Sequence, residues 1–183
     1  MCKMTTLEME VSIIEALNPQ VNKIVPNVSW GISDGKKDLH ECDLLSLSKS
    51  NFATEIEIKI TKHDLLRDKD KKHGHDHNHI KYLYYAVPQE LQNTAIHNIP
   101  ERAGLFVVKK HICHESNEYY FLVEKIRKPT VNKSAHKWDD KEIMQLLRLG
   151  TMRIAGLKAG QLRSKNPGLY PTFFRNIIDN TKG

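Results

Sequence analysis

The chain has 183 residues, 39% of them hydrophobic and 7% aromatic, and a formal net charge of +6. That length supports one domain with a real core. No apolar run approaches the roughly 20 residues needed to span a bilayer, and the three scattered cysteines, Cys2, Cys42 and Cys113, argue against a disulfide framework and for a reducing cytoplasm. The N-terminal stretch MCKMTTLEMEV has no apolar core followed by a small-residue cleavage site, so no signal peptide is expected. The basic excess favours a polyanionic partner, most simply nucleic acid, and the lack of a spanning apolar run argues for no membrane.

In chain order, residues 5–17 read as an amphipathic helix with Thr5 or Thr6 as N-cap. At 100° per residue, Leu7, Val11, Ile14 and Leu17 define its buried stripe, and Glu10 falls inside that stripe. Residues 22–32 are β-rich, and Pro26 restricts them to an edge or bulged strand. Residues 33–38 carry turn chemistry. Residues 40–48 and 51–60 are strands joined by a polar turn at Lys49 and Ser50. Thr61 and Asp64 open a helix over 61–72, and 73–79 is a polar loop. An aromatic-rich strand over 80–87 ends at Pro88, and a short helix follows over 88–97. Residues 103–113 and 118–127 form a hairpin, and 128–138 a basic connector. Asp139 and Glu142 have capping-box spacing ahead of a helix whose apolar positions Ile143, Leu146, Leu147, Ile154 and Leu157 recur at helical intervals. From Ala159 onward the composition suggests a loosely attached basic tail, which divides the chain into a domain over 1–158 and a tail over 159–183. The order α-β-β-β-α-β-α-β-β-α is not a doubly wound parallel pattern. It predicts an α/β fold with a mixed sheet flanked by helices.

The chemistry gathers on the second and third strands. In TEIEIK (54–59), side chains alternate, so Glu55, Glu57 and Lys59 share one face opposite Ile56 and Ile58. A turn at Lys49–Ser50 brings Asp43 almost across from Glu57, where opposed Cβ atoms are about 5 Å apart. Two carboxylates that close repel unless a cation lies between them, and hard oxygen donors suit Mg²⁺ or Mn²⁺. Lys59 then stands one step beyond the metal, placed to orient an attacking water or stabilise a phosphate. Taken alone, Glu-x-Lys on a strand equally describes a solvated surface pair. Glu10 adds an inward-facing acid, costly unless paired or metal-bound; it is a third acidic member of the site or a snorkelling residue at the stripe's edge.

The series ECD (41–43), EIEIKITKHDLLRDKDKK (55–72), YLYYAVPQEL (82–91) and PERAGLFVV (100–108) resembles the PD-(D/E)XK nuclease superfamily. More narrowly, it resembles the MmcB-type branch, inferred to be DNA-repair nucleases, and its phage relatives. The matching residues are Glu57-Ile58-Lys59, Asp64, Asp68 with Lys71 or Lys72, and YYAVP (84–88); HKWDDKEIMQLLRLG (136–150) resembles the helix that closes such domains. The resemblance covers roughly residues 5–155, and Cys42 stands where the superfamily name has proline. It implies a restriction-endonuclease-like mixed central sheet flanked by helices. It also implies a metal-dependent nuclease hydrolysing DNA phosphodiester bonds, in DNA repair or phage DNA processing. Asp43, Glu57 and the Ile58 carbonyl would hold Mg²⁺ or Mn²⁺, Lys59 would serve the scissile phosphate, and Glu10 would complete the shell. Some branches have lost catalysis, so the alternative is an inactive nucleic-acid-binding module on the same fold.

By charge and position, Lys62, Lys69, Lys71, Lys72, Arg127 and Arg148 are the candidate phosphate contacts. RNA is left open as a partner, and cutting both strands would favour a homodimer. His73, His75, His77 and His79 alternate in a loop flanked by lysines, which reads first as a phosphate-touching segment and second as a transition-metal binder. A metal-sequestering or scaffold protein is the third class, resting on this loop alone. HICH (111–114) reads as strand and turn, and Tyr82, Tyr84 and Tyr85 as core and sheet.

Overall fold

A computed structural model describes residues 3–30, 40–68, 78–112 and 119–165. Helix α1 (Thr6–Ala16) is followed by strands β1 (Lys23–Trp30), β2 (His40–Leu47) and β3 (Ala53–Ile58), helix α2 (Lys62–Arg67) and strand β4 (Ile80–Pro88). A 3₁₀ turn (Gln89–Leu91) leads into α3 (Gln92–Asn98), then β5 (Gly104–Ile112), β6 (Tyr119–Arg127) and α4 (Asp140–Lys165). The six strands form one sheet in sequential order, parallel at β3–β4 and β4–β5 and antiparallel elsewhere. The protein is thus α/β, with a mixed sheet flanked by helices. β1 is an edge strand, which spares Pro26 the ladder bond it cannot make. Among the described residues, no helix is long and apolar enough to cross a membrane.

The central strands of the sheet are buried on both faces, whereas β6 is largely exposed. One face carries Leu44, Ile56, Ile58, Tyr84, Ala86, Phe106 and Val108, covered by Met9 and Ile13 of α1. Leu83, Tyr85, Val87, Leu105 and Val107 cluster with Leu65 of α2 and Ala95 of α3. A third cluster packs Val25, Val28, Leu45 and Leu47 against Trp138 and Leu146 of α4. Strands buried on both sides cannot offer a solvated face, and this decides the status of the β3 polar row.

Two expected helix faces are corrected. Thr5 caps α1 in a full capping box with Glu8. Leu7 and Val11, however, are 67% and 46% exposed, while Met9 and Ile13 are fully buried. Both pairs are spaced four apart, so periodicity could not choose between them; the fit against Leu44 and Ile56 does. In α4, Leu146 is buried and Ile143 and Leu149 pack beside it, but Leu147, Ile154 and Leu157 are exposed. The helix also continues through residue 158 to Lys165, past the expected domain boundary. Residues 166–183 lie outside the described part, as does the 114–117 turn of the β5–β6 hairpin.

Candidate active site

The β2–β3 ladder pairs Leu44 with Ile56 and Leu45 with Glu55. Carried one step further, the same register sets Asp43 opposite Glu57. There the strands give up their ladder, and the Asp43 Oδ2 accepts the Ile58 backbone N–H at 2.7 Å. A side chain replaces a strand, so a cleft opens between the strand ends. It has a volume of about 260 Å³ and is lined by Asn27, Val28, Glu41, Cys42, Asp43, Glu57 and Lys59. Asn27 helps shape it with a φ of 50°, a left-handed conformation that asparagine tolerates better than most residues.

The polar row of β3 is buried. Glu55, Glu57 and Lys59 are 0%, 3% and 4% exposed, which removes the reading of a solvated surface strand. Lys59 Nζ contacts Glu57 Oε2 at 2.7 Å and Asp68 Oδ1 at 3.3 Å. Asp68, the C-cap of α2, also accepts the Tyr85 hydroxyl of β4. The parallel register sets Tyr85 beside Glu57, so three elements converge on one ammonium.

Electrostatics follow from this crowding. Burial pulls the Lys59 ammonium towards deprotonation, but Glu57, Asp68 and Asp43 outweigh it and hold the lysine charged beyond its ordinary range. Burial raises the Glu57 carboxyl; Lys59 pulls it back, and Asp43 and Glu55 push it up again. Both groups of the ion pair are therefore raised: three carboxylates hold the lysine charged, whereas burial first, and then Asp43 and Glu55, favour the neutral form of Glu57. The Tyr85 phenol is raised by burial and by its bond to Asp68, so it remains a donor.

Paired carboxylates at the mouth of a polar cleft fit a small hard cation. Burial is the first cause of the raised Glu57 carboxyl and Asp43 adds to it; a divalent ion between the two carboxylates would relieve their repulsion. The Ile58 N–H is committed to Asp43, which fixes the peptide next to both groups.

The other expected residues divide. Glu10 does not line the cleft; its carboxylate accepts from the Asn27 side chain at 3.1 Å, so it supports the cleft wall at one remove. Lys62 is exposed at the start of α2, and Arg148 is exposed on α4. The Arg127 guanidinium donates to the carbonyls of Ala103 and Pro100, both at 2.8 Å, tying the end of β6 to the segment before β5. Lys69, Lys71, Lys72 and His73, His75 and His77 lie outside the described residues. His79 lies within them, half-buried beside His136 and Glu142. Asp68 and Tyr85 were matched to motifs in the sequence without a role, since only the crossover packing brings them to Lys59.

No family model matches the chain, and no curated protein matches it. Among solved structures, a Silicibacter pomeroyi protein of unknown function superposes with a TM-score of 0.57 at 14% identity, covering 91% of this chain and 97% of that one. At that identity the likeness is one of fold.

Proposed function

We propose that the protein is a divalent-metal-dependent nuclease acting on DNA. One observation supports this above the others: Asp43, Glu57 and Lys59 line a single cleft, with Glu57 and Lys59 buried and Asp43 clamped on the Ile58 amide. A strand that hides two carboxylates and an ammonium from water forfeits hydration of three charges. Stability alone is a poor reason for such a row, and a reactive cleft is a good one. In this reading Asp43, Glu57 and the Ile58 carbonyl hold Mg²⁺ or Mn²⁺. The ion supplies charge neutralisation at the phosphate and a more acidic bound water. Lys59, kept cationic by Glu57 and Asp68, faces the phosphate from the cleft wall, and Tyr85 holds Asp68 in place.

The test is cleavage of supercoiled plasmid and of labelled duplex, single-stranded and branched oligonucleotides with Mg²⁺ or Mn²⁺. Wild-type cleavage should depend on the ion and fall about 100-fold or more in Lys59→Ala, the usual loss of a positioned electrostatic group. Cleavage that persists in the variant overturns the assignment. Salt-dependent DNA binding without wild-type cleavage would identify a non-catalytic module on the same fold.

A further inference from the structure

We propose a second metal site, distinct from the Asp43–Glu57 cleft, in which His79, His136 and Glu142 bind a transition ion of the Zn²⁺ class. His79 stands in the turn before β4, His136 in the connector, and Glu142 in the first turn of α4. His79 Nε2 and His136 Nε2 each lie 3.1 Å from the same oxygen, Glu142 Oε1. All three donor atoms lie within 4.8 Å of one another. Zinc–nitrogen and zinc–oxygen bonds of about 2.0–2.2 Å give a tetrahedral edge of about 3.3–3.6 Å, so small side-chain rotations convert these contacts into ligation. Two imidazoles and one carboxylate suit Zn²⁺, Co²⁺ or Ni²⁺ rather than Mg²⁺, which takes oxygen. Three protein ligands leave a position open to water or an anion.

The surroundings hold the donors in place. Glu142 Oε2 accepts the Asp139 N–H at 2.8 Å in the α4 capping box, which turns Oε1 towards the two rings. The His136 N–H donates to the Asn78 carbonyl at 2.9 Å, and Trp138 Nε1 donates to the His79 carbonyl at 2.8 Å. Asn132 bonds the carbonyls of Ile80 and Lys81. The connector is therefore stitched to the start of β4, so the ligand backbones are set before an ion arrives. The Asp139 N–H on Glu142 Oε2 is an outer bond of the kind that orients a metal-binding carboxylate. An ion here would fasten α4 and the connector to the start of β4.

The experiment uses tag-free, chelator-treated protein titrated calorimetrically with Zn²⁺, with Co²⁺ absorption as a second readout. One Zn²⁺ per chain is expected, with a rise in melting temperature and the strong visible bands of low-coordinate Co²⁺. His136→Ala, at a 41% exposed side chain, should fold normally, lose the Co²⁺ bands and weaken Zn²⁺ by at least about 10-fold, the lower range even for an outer-shell change. Glu142→Gln should do the same. Excess Mg²⁺ and Asp43→Asn should leave Zn²⁺ binding intact, which separates this site from the nuclease reading. Replacing His73, His75 and His77 together by alanine should also leave it intact. Absence of Zn²⁺ binding, full affinity in His136→Ala, or loss in the triple variant would overturn the proposal.

Discussion

The Asp43 carboxylate accepts the Ile58 backbone N–H at 2.7 Å, at the point where the β2–β3 ladder stops. One side chain thus closes a backbone bond that the partner strand leaves open and also faces Glu57. Those two duties can be separated. Asp43→Asn retains an acceptor for the amide but loses the charge, so it should unfold within about 1 kcal/mol of wild type while Mn²⁺ affinity collapses. Asp43→Ala removes the acceptor as well and should cost about 1–3 kcal/mol. Urea unfolding and calorimetric Mn²⁺ titration read the two quantities. Equal stability losses would remove the clamp; undiminished Mn²⁺ affinity in both variants would remove the metal role.

Lys59 is flanked by Glu57 and Asp68 with about 5% of its side chain exposed. Its removal leaves two buried carboxylates without their shared cation. Lys59→Ala should lose about 3–5 kcal/mol, the cost of breaking a buried pair, rather than the 0.2–1 kcal/mol of about any exposed one. Cleavage comparisons therefore need a temperature well below the melting point of the variant. A near-neutral change in urea unfolding would show that the row is wetter than its packing indicates.

Glu57 is held above its ordinary value of 4.5, first by burial and then by Asp43 and Glu55 against the pull of Lys59. A carboxyl raised in the folded state binds its proton more tightly there than in the unfolded chain. Its contribution to stability is present below 4.5 and lost as pH rises through the folded value. Glu57→Gln should abolish that loss, so the stability difference between variant and wild type should grow in the variant's favour over that window. Protons also compete with metal at Glu57, so wild-type Mn²⁺ affinity should weaken already at a pH above 4.5. A pH-independent difference between the two proteins would contradict the shift.

Tyr85 donates to Asp68, and Asp68 faces Lys59. Tyr85→Phe keeps the ring in the core but withdraws that donor. A loss of about 1.5–3 kcal/mol is expected, typical for a hydrogen bond to a charged group. An unchanged unfolding midpoint would place the phenol outside the network.

α4 offers a paired comparison along one helix. Leu146 is 1% exposed against Val25 and Trp138, whereas Leu157 is 60% exposed. Leu146→Ala should lose about 2–5 kcal/mol and Leu157→Ala under about 0.5 kcal/mol. Comparable losses at both positions, measured by urea unfolding, would mean that the distal half of α4 is packed against something in solution.

The order of elements was legible in the sequence, and so was the opposition of Asp43 and Glu57, because both depend on local rules. Alternation identifies a strand, and a short turn at Lys49–Ser50 sets its register. Thr5–Glu8 and Asp139–Glu142 announce their helix starts for the same reason: the capping bonds span three residues. Which face of a helix meets the sheet is a different matter. Leu7 and Val11 against Met9 and Ile13 is a choice between two apolar rows of equal period, made only by the contact with Leu44 and Ile56. The row Glu55, Glu57 and Lys59 looked like any solvated strand face, but the assembled fold buries it, and Asp68 at the end of α2 reaches Lys59, and Tyr85 of β4 reaches Asp68, only through the β3–α2–β4 crossover. His79 and Glu142 are likewise brought together only when the connector binds the start of β4. Local periodicity specifies what each segment is; burial and long-range pairing belong to the assembled sheet, because desolvation depends on what packs over a residue and not on its neighbours in the chain.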